Sequence, residues 1–259
     1  MHDAQTPHSR DQRPDYSDEI SLVDLVATFI RRRRVFYAVF VAVTLAGLAY
    51  ALLTPNKYEY VSLIQVAQKD GTKYVQPPKT AIATLENRWL PEVQAAYLAK
   101  NDSKMPFEVA FSNPDDTGLI RFNSSTTTEN SKAVETAHET LISKVSDYQG
   151  RLIKTEQASL KSQIQSLERT VELLKGEKET GEAIASAIEK RSRLELELEG
   201  LDEVEVLVTS RQSPGRIAPK RSLIMIMAGF LGLMMGVFMA FMSEFAASVR
   251  DRLASEGAQ

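Results

Sequence analysis

Residues 223–245, LIMIMAGFLGLMMGVFMAFMSEF, carry no charge before Glu244 and no hydroxyl before Ser243. A helix needs roughly 20 apolar residues to cross a bilayer core, and a core helix of a soluble domain ordinarily keeps a polar stripe. The stretch is therefore read as a membrane-spanning helix over residues 222–243. Its approach, SPGRIAPKR, holds Pro214 and Pro219, which resist helix, so the chain is expected to run extended to Lys220 and Arg221 and enter the span there. Within the span Gly229, Gly232 and Gly236 recur at steps of three and four, and Ala240 continues that face. Small residues so spaced let helix backbones approach closely in lipid, although membrane helices also tolerate glycine without any such contact.

A second apolar stretch, residues 35–54, follows the run Arg31, Arg32, Arg33 and Arg34. It is too long for a signal peptide, and no small-residue cleavage pattern follows it before Pro55, so it is read as an uncleaved anchor. Arginine clusters mark the cytoplasmic side, which places both termini inside and residues 55–221 on the far side. Lys220 and Arg221 then sit against the usual bias, with the first helix expected to dominate. Residues 1–16 are polar and hold two prolines, giving a disordered tail. An amphipathic helix should begin at Ser17 or Asp18, with Ile20, Val23, Ala27 and Ile30 facing the membrane surface. Residues 1–34 and 244–259 are thus cytoplasmic segments.

Between the anchors, YEYVSLIQVAQ (58–68) alternates and is rich in aromatic and β-branched residues, which predicts a strand. Residues 79–100 read as a helix with Pro91 as a kink. Two strands, 107–112 and 119–123, flank a turn of composition NPDDTG and form a hairpin. A long helix over 128–175 carries Val134, Ala137, Leu141, Val145, Tyr148 and Leu152. It continues at heptad spacing through Leu160, Ile164, Leu167, Val171 and Leu174. After a charged turn at 176–181, residues 182–200 return as a helix whose Ile184, Ile188, Arg191, Leu194, Leu198 and Leu201 face the outgoing arm. The return is shorter than the outgoing arm, so part of the stripe from Leu160 to Leu174 is expected to form a seam with another copy. A strand at 204–209 completes a sheet base built from 57–127 and 202–212. The fold class is an α+β membrane protein: two transmembrane helices flank an α/β base with a long helical hairpin.

Chemistry is sparse in the remainder. The chain of 259 residues has a formal charge of −3, and its only dense basic run is the short one at Arg31, so nucleic acid is not a partner. It has no cysteine, which excludes thiol chemistry and thiolate metal sites. Two of its three histidines lie in the N-terminal tail, and the third, His138, reads as a helix-surface residue. No catalytic, cofactor or metal site is expected. Asp115 and Asp116 are ordinary turn acids, and Glu195, Glu197 and Glu199 form a solvated face. Trp89 is either a core residue or a stacking surface for a sugar ring, the apolar helix face favouring the core.

Taken together, the segment DEISLVDL (18–25), the arginines before the first span, YEYVSLI (58–64), the long helices, and Pro219-Lys220-Arg221 before a glycine-bearing span resemble the polysaccharide co-polymerases. These are the Wzz-type chain-length determinants of bacterial O-antigen. The resemblance implies a ring of subunits in the inner membrane, with an α/β base near the membrane and a long helix rising into the periplasm. It implies regulation of polysaccharide length rather than catalysis, with a membrane polymerase as partner and the growing polysaccharide as a further candidate. The region between the spans is shorter than is typical, which predicts a reduced upper helical part. Nothing after Glu244 resembles a phosphate-cradling glycine loop, so no fused kinase is expected. Three other readings share parts of the layout: an export co-polymerase working with a separate tyrosine kinase, a periplasmic helical-hairpin adaptor, and a membrane sensor.

Overall fold

The computed structural model describes residues 28–69, 71, 73–114, 117–175 and 180–256. The expected tail at 1–16, the amphipathic helix at 17–30 up to residue 27, the acid pair at 115–116 and most of the charged turn lie outside the described residues. The chain divides into two compact units, one of residues 55–219 and one of residues 1–54 with 220–259.

The unit of residues 55–219 is built on a four-stranded antiparallel sheet. Its strands are β1 (Lys57–Gln65), β4 (Val109–Ser112), β5 (Leu119–Thr127) and β7 (Glu205–Gln212), in the order β4-β5-β1-β7. β1 alternates as its sequence predicts, with Tyr60, Ser62 and Ile64 buried, and β5 buries Ile120, Phe122, Ser124 and Thr126. β5 thus runs four residues beyond the expected strand. Residues 124–127 are Ser and Thr, which suit a pleated surface but give no apolar alternation to read. β1 also ends earlier than expected. The chain breaks at Val66 and Ala67 and resumes as β2 (Gln68–Lys69), which with β3 (Lys73–Tyr74) and β6 (Leu201–Asp202) makes a small second sheet.

One face of the large sheet is covered by helices. α2 (Pro78–Thr84) and α3 (Leu90–Asn101) are joined by a π-helical turn, Leu85–Trp89, in which the Leu90 amide donates to the Leu85 carbonyl. This is where the kink at Pro91 was expected. A proline ring clashes with the carbonyl four residues back, here that of Asn87, and widening the turn relieves the clash. Trp89 is buried in the core and meets Tyr148 edge-on at 5.9 Å between ring centroids.

α4 (Ser131–Leu174) follows a 3-10 turn at Thr128–Asn130 and crosses the sheet with Val134, Ala137, Leu141 and Val145 inward. Its 44 residues give a rod of about 66 Å. α5 (Gly181–Glu199) returns against the far half of α4. Leu160 is buried, and Ile164, Leu167, Val171 and Leu174 are half-buried, as are Ile184, Arg191, Leu194 and Leu198 of α5. Ile188, expected to face α4, is exposed instead. The stripe from Leu160 to Leu174 spans about 21 Å and the 19 residues of α5 about 28 Å, so the return is long enough to meet all of it.

In the other unit, α1 (Arg33–Leu53) packs along α6 (Arg221–Glu256). Both helices are long and apolar enough to cross a membrane. α6 continues well past the expected end at residue 243, because 246–256 contain alanine, leucine and arginine, good helix formers, and no proline or glycine.

Candidate functional site

The helix pair is assembled by small residues. A Cβ added to Gly232 would lie 3.2 Å from the Phe40 carbonyl oxygen, and one added to Gly236 would lie 2.7 Å from the Phe36 ring. A Cβ on Gly47 of α1 would collide with the Ala228 side chain. Ala240 is fully buried and Ala228 nearly so. The seam on α6 is therefore Ala228, Gly232, Gly236 and Ala240, at a constant step of four. Gly229, expected on this face, is off it, since nothing lies within 4 Å of an added Cβ there. A step of three followed by four steers the face toward Gly229, whereas the actual contact follows the i, i+4 row that close-packed membrane helices use. Phe36 and Phe40, stacked at 6.0 Å, fill the space that the two glycines leave.

The pair runs antiparallel and is tied at one end. Arg31 Nη1 donates to Glu244 Oε1 at 3.1 Å and Arg32 Nε to Glu244 Oε2 at 2.7 Å. Of the four-arginine run, Arg31 and Arg32 thus hold the partner helix, while Arg33 and Arg34 lie in the first turn of α1. Away from the seam, the large side chains Tyr37, Leu45, Phe230, Met234 and Phe238 are all more than half exposed.

The residues approaching α6 form no helix, as expected from Pro214 and Pro219, but the chain bends at Pro214 and Gly215 instead of running extended throughout. β7 ends at Gln212, the Ser213 amide donates to the Glu59 carbonyl at 2.7 Å, and α6 starts at Arg221, directly after Lys220. Close to the first residues of the domain, the Lys57 amide donates to Ala218 O at 2.8 Å and the Ile217 amide to Lys57 O at 2.9 Å.

His138 is the main correction to the sequence reading. It is not on the helix surface but fully buried between α4 and the sheet. Its Nδ1 lies 2.8 Å from Ser62 Oγ and its Nε2 2.9 Å from Ser124 Oγ. The Ser210 amide, at a left-handed residue (φ 44°) in β7, donates to Ser62 Oγ at 2.7 Å. The arrangement that uses every group has Ser62 O–H donating to Nδ1 and Nε2–H donating to Ser124. Burial pushes the imidazole down to about 4 from its ordinary 6.5, which keeps it neutral. A serine-histidine contact sealed from solvent admits no substrate, so its chemistry is structural: it joins β1, β5, β7 and α4 through one polar hub.

A second buried hub stands at the break after β1. Gln149 Oε1 accepts the Ala67 amide at 2.8 Å, and its Nε2 donates to Gln76 Oε1 at 3.3 Å. Both hubs lie on α4 at positions where the stripe of apolar residues would have been continuous. Among the described residues, no cluster of His, Asp or Glu is arranged to hold a metal ion.

The fold and site thus define a class: an α+β domain with a helical hairpin, inserted in the chain between two apolar helices that pair with each other. Residues 18–105 match the family model "Wzz: Chain length determinant protein". That segment, which holds α1, β1 to β3, α2 and α3, is thus similar to the Wzz type, in keeping with the resemblance carried by its sequence. Among solved structures, a "full-length bacterial polysaccharide co-polymerase" aligns with 88 % of this chain and 99 % of its own. The identity is 12 % and the TM-score 0.44. No curated protein matches.

Proposed function

We propose that this chain is an inner-membrane co-polymerase that sets the length of a surface polysaccharide, the O-antigen of lipopolysaccharide or a related polymer. The observation that carries the reading is the chain-length-determinant match over residues 18–105. The paired helices support the membrane part: their outer faces present large apolar side chains, which lipid accommodates and water does not. The antiparallel pairing and the link from Arg31 and Arg32 to Glu244 favour both ends of the chain lying on one side, the cytoplasm by the arginine bias. Residues 55–219 are then periplasmic, and the protein regulates rather than catalyses.

In this proposal the working form is an oligomeric ring, with a membrane polymerase as partner and the bilayer as solvent for α1 and α6. The half-buried stripe Leu160, Ile164, Leu167, Val171 and Leu174 leaves room for a neighbouring copy to complete its cover. Leu173, Ile188 and Leu196 stand exposed beside it. Gly232 and Gly236 are occupied by α1, so Gly229 is the member of the expected face left open to the polymerase. Deleting the gene and comparing the surface-polysaccharide length profile with the parent strain tests the function. A narrow modal distribution should become a broad one of short chains, and an unchanged profile overturns the proposal.

A further inference from the structure

Outside the helix pair and the buried hubs, the domain has a groove of about 590 Å³ between α3 and α4. That is the size of a site for a small ligand. Its floor is apolar, formed by Val93, Ala133 and Ala137, and Tyr97 stands half-buried at its wall. Two lysines line the groove together with Tyr97, Lys100 from α3 and Lys132 from α4. Among the described residues neither has an ion-pair partner. Lys144, at the same groove, is already neutralised by Glu92 at 2.7 Å, and this pairing holds the Glu92 carboxyl below its ordinary value.

The hydrogen-bonding inventory points in one direction. The hydroxyls of Thr136 and Thr140 donate to the carbonyls of Lys132 and Thr136, and the Asn101 amide nitrogen donates to the Tyr97 carbonyl. The two threonine hydroxyl protons are spent within the helices, and Asn101 keeps one N–H beside the lysines. The groove therefore offers a ligand the donors of two lysines, the Tyr97 hydroxyl and one Asn101 N–H, beside an aromatic face and an apolar floor. A ligand that suits it carries negative charge and many acceptor oxygens, and has flat C–H surfaces to lie against a ring.

We propose that the groove between α3 and α4 binds a carboxylate-bearing oligosaccharide, a uronic-acid segment with its carboxylates on Lys100 and Lys132 and a sugar face on Tyr97. This rests on the polysaccharide reading above and deepens it, since the domain then holds the polymer itself as well as acting on its polymerase. A competing occupant is the acidic run Glu195, Glu197, Glu199, Asp202 and Glu203 of a second copy. That run lacks a ring-sized rigid unit to match the aromatic wall.

The test is calorimetry on the full chain in detergent, with tetragalacturonate, maltotetraose, inorganic phosphate and a peptide of residues 193–205 as probes. Tetragalacturonate should bind, with maltotetraose, which lacks both carboxylate contacts, about a hundredfold weaker or undetectable. Lys100→Gln and Lys132→Gln should each weaken binding by about tenfold, as expected for one charge-assisted hydrogen bond. Tyr97→Ala should weaken it further, whereas Tyr97→Phe, which keeps the ring and loses one neutral donor, should weaken it only about threefold to fivefold. Unchanged fluorescence of the buried Trp89 verifies that each variant is folded. Equal affinity for the two sugars, binding of phosphate as tight as that of the sugar, tighter binding of the peptide, or indifference to the lysine substitutions overturns the inference. The deletion strain separates the two levels: an altered length profile with no tetragalacturonate binding defeats the groove alone, and an unaltered profile defeats the function.

Discussion

At the scale of single residues, His138 carries the clearest consequence. Its folded value of about 4 lies below the ordinary 6.5, so the folded state binds a proton less readily than the unfolded state. The stability this confers is complete above about pH 6.5. It is lost as pH falls toward 4, at up to about 1.4 kcal/mol per pH unit and roughly 3 kcal/mol in all. Urea unfolding followed by the single tryptophan, Trp89, should show a lower midpoint at pH 4.5 than at pH 7. His138→Gln should flatten the dependence, and an equal drop in the variant would assign it to other groups. The hub was legible in principle. His138 lies four residues after Val134 and three before Leu141, squarely within the apolar stripe of α4, but a polar residue in a stripe is naturally assigned to the surface. Only the sheet shows that Ser62 and Ser124, on adjacent strands, bring hydroxyls to both ring nitrogens.

At the scale of elements, the seam of α1 and α6 and the hairpin of α4 and α5 make separate predictions. Gly232→Leu with Gly236→Leu would drive side chains into Phe40 and Phe36 while leaving α6 apolar enough to insert. The polysaccharide length distribution should change at normal protein abundance. An unaltered profile would show that the close approach of α1 and α6 at these glycines is not needed for length control. On the hairpin, Ile164→Asp with Val171→Asp buries charge against α5 and should cost several kcal/mol each, reducing the helical signal as well as the size of detergent-extracted oligomers. Leu173→Asp with Leu196→Asp touches only exposed positions, so a smaller oligomer with full helicity would locate the contact between copies there. Oligomers of unchanged size in both double variants would remove the hairpin as a seam. The long helices were legible because periodicity accumulates over many turns. The two-residue strands β2, β3 and β6 were not, because a two-residue strand has no period, and only the buried Gln149 fixes where β1 must break.

At the scale of the whole molecule, the division of the chain at Thr54 and Lys220 matches where hydrophobic runs meet polar sequence, which is why the arrangement could be read before the fold. Topology is tested with reporters fused after Lys175. A reporter active only in the periplasm should give signal there, and cytoplasmic signal would reverse the orientation. The backbone bonds joining Lys57 to Ala218 and Ile217 close the domain at its first and last residues. Everything from β1 to β7 is consequently a loop in the polymer sense, an insert whose two ends are already stitched together. Doubling the length of such a loop adds only about 0.6 kcal/mol of closure entropy. The α4 and α5 arms can therefore grow or shrink by whole turns at almost no thermodynamic penalty to the stitch, which makes the reach of the hairpin the dimension of this protein freest to vary.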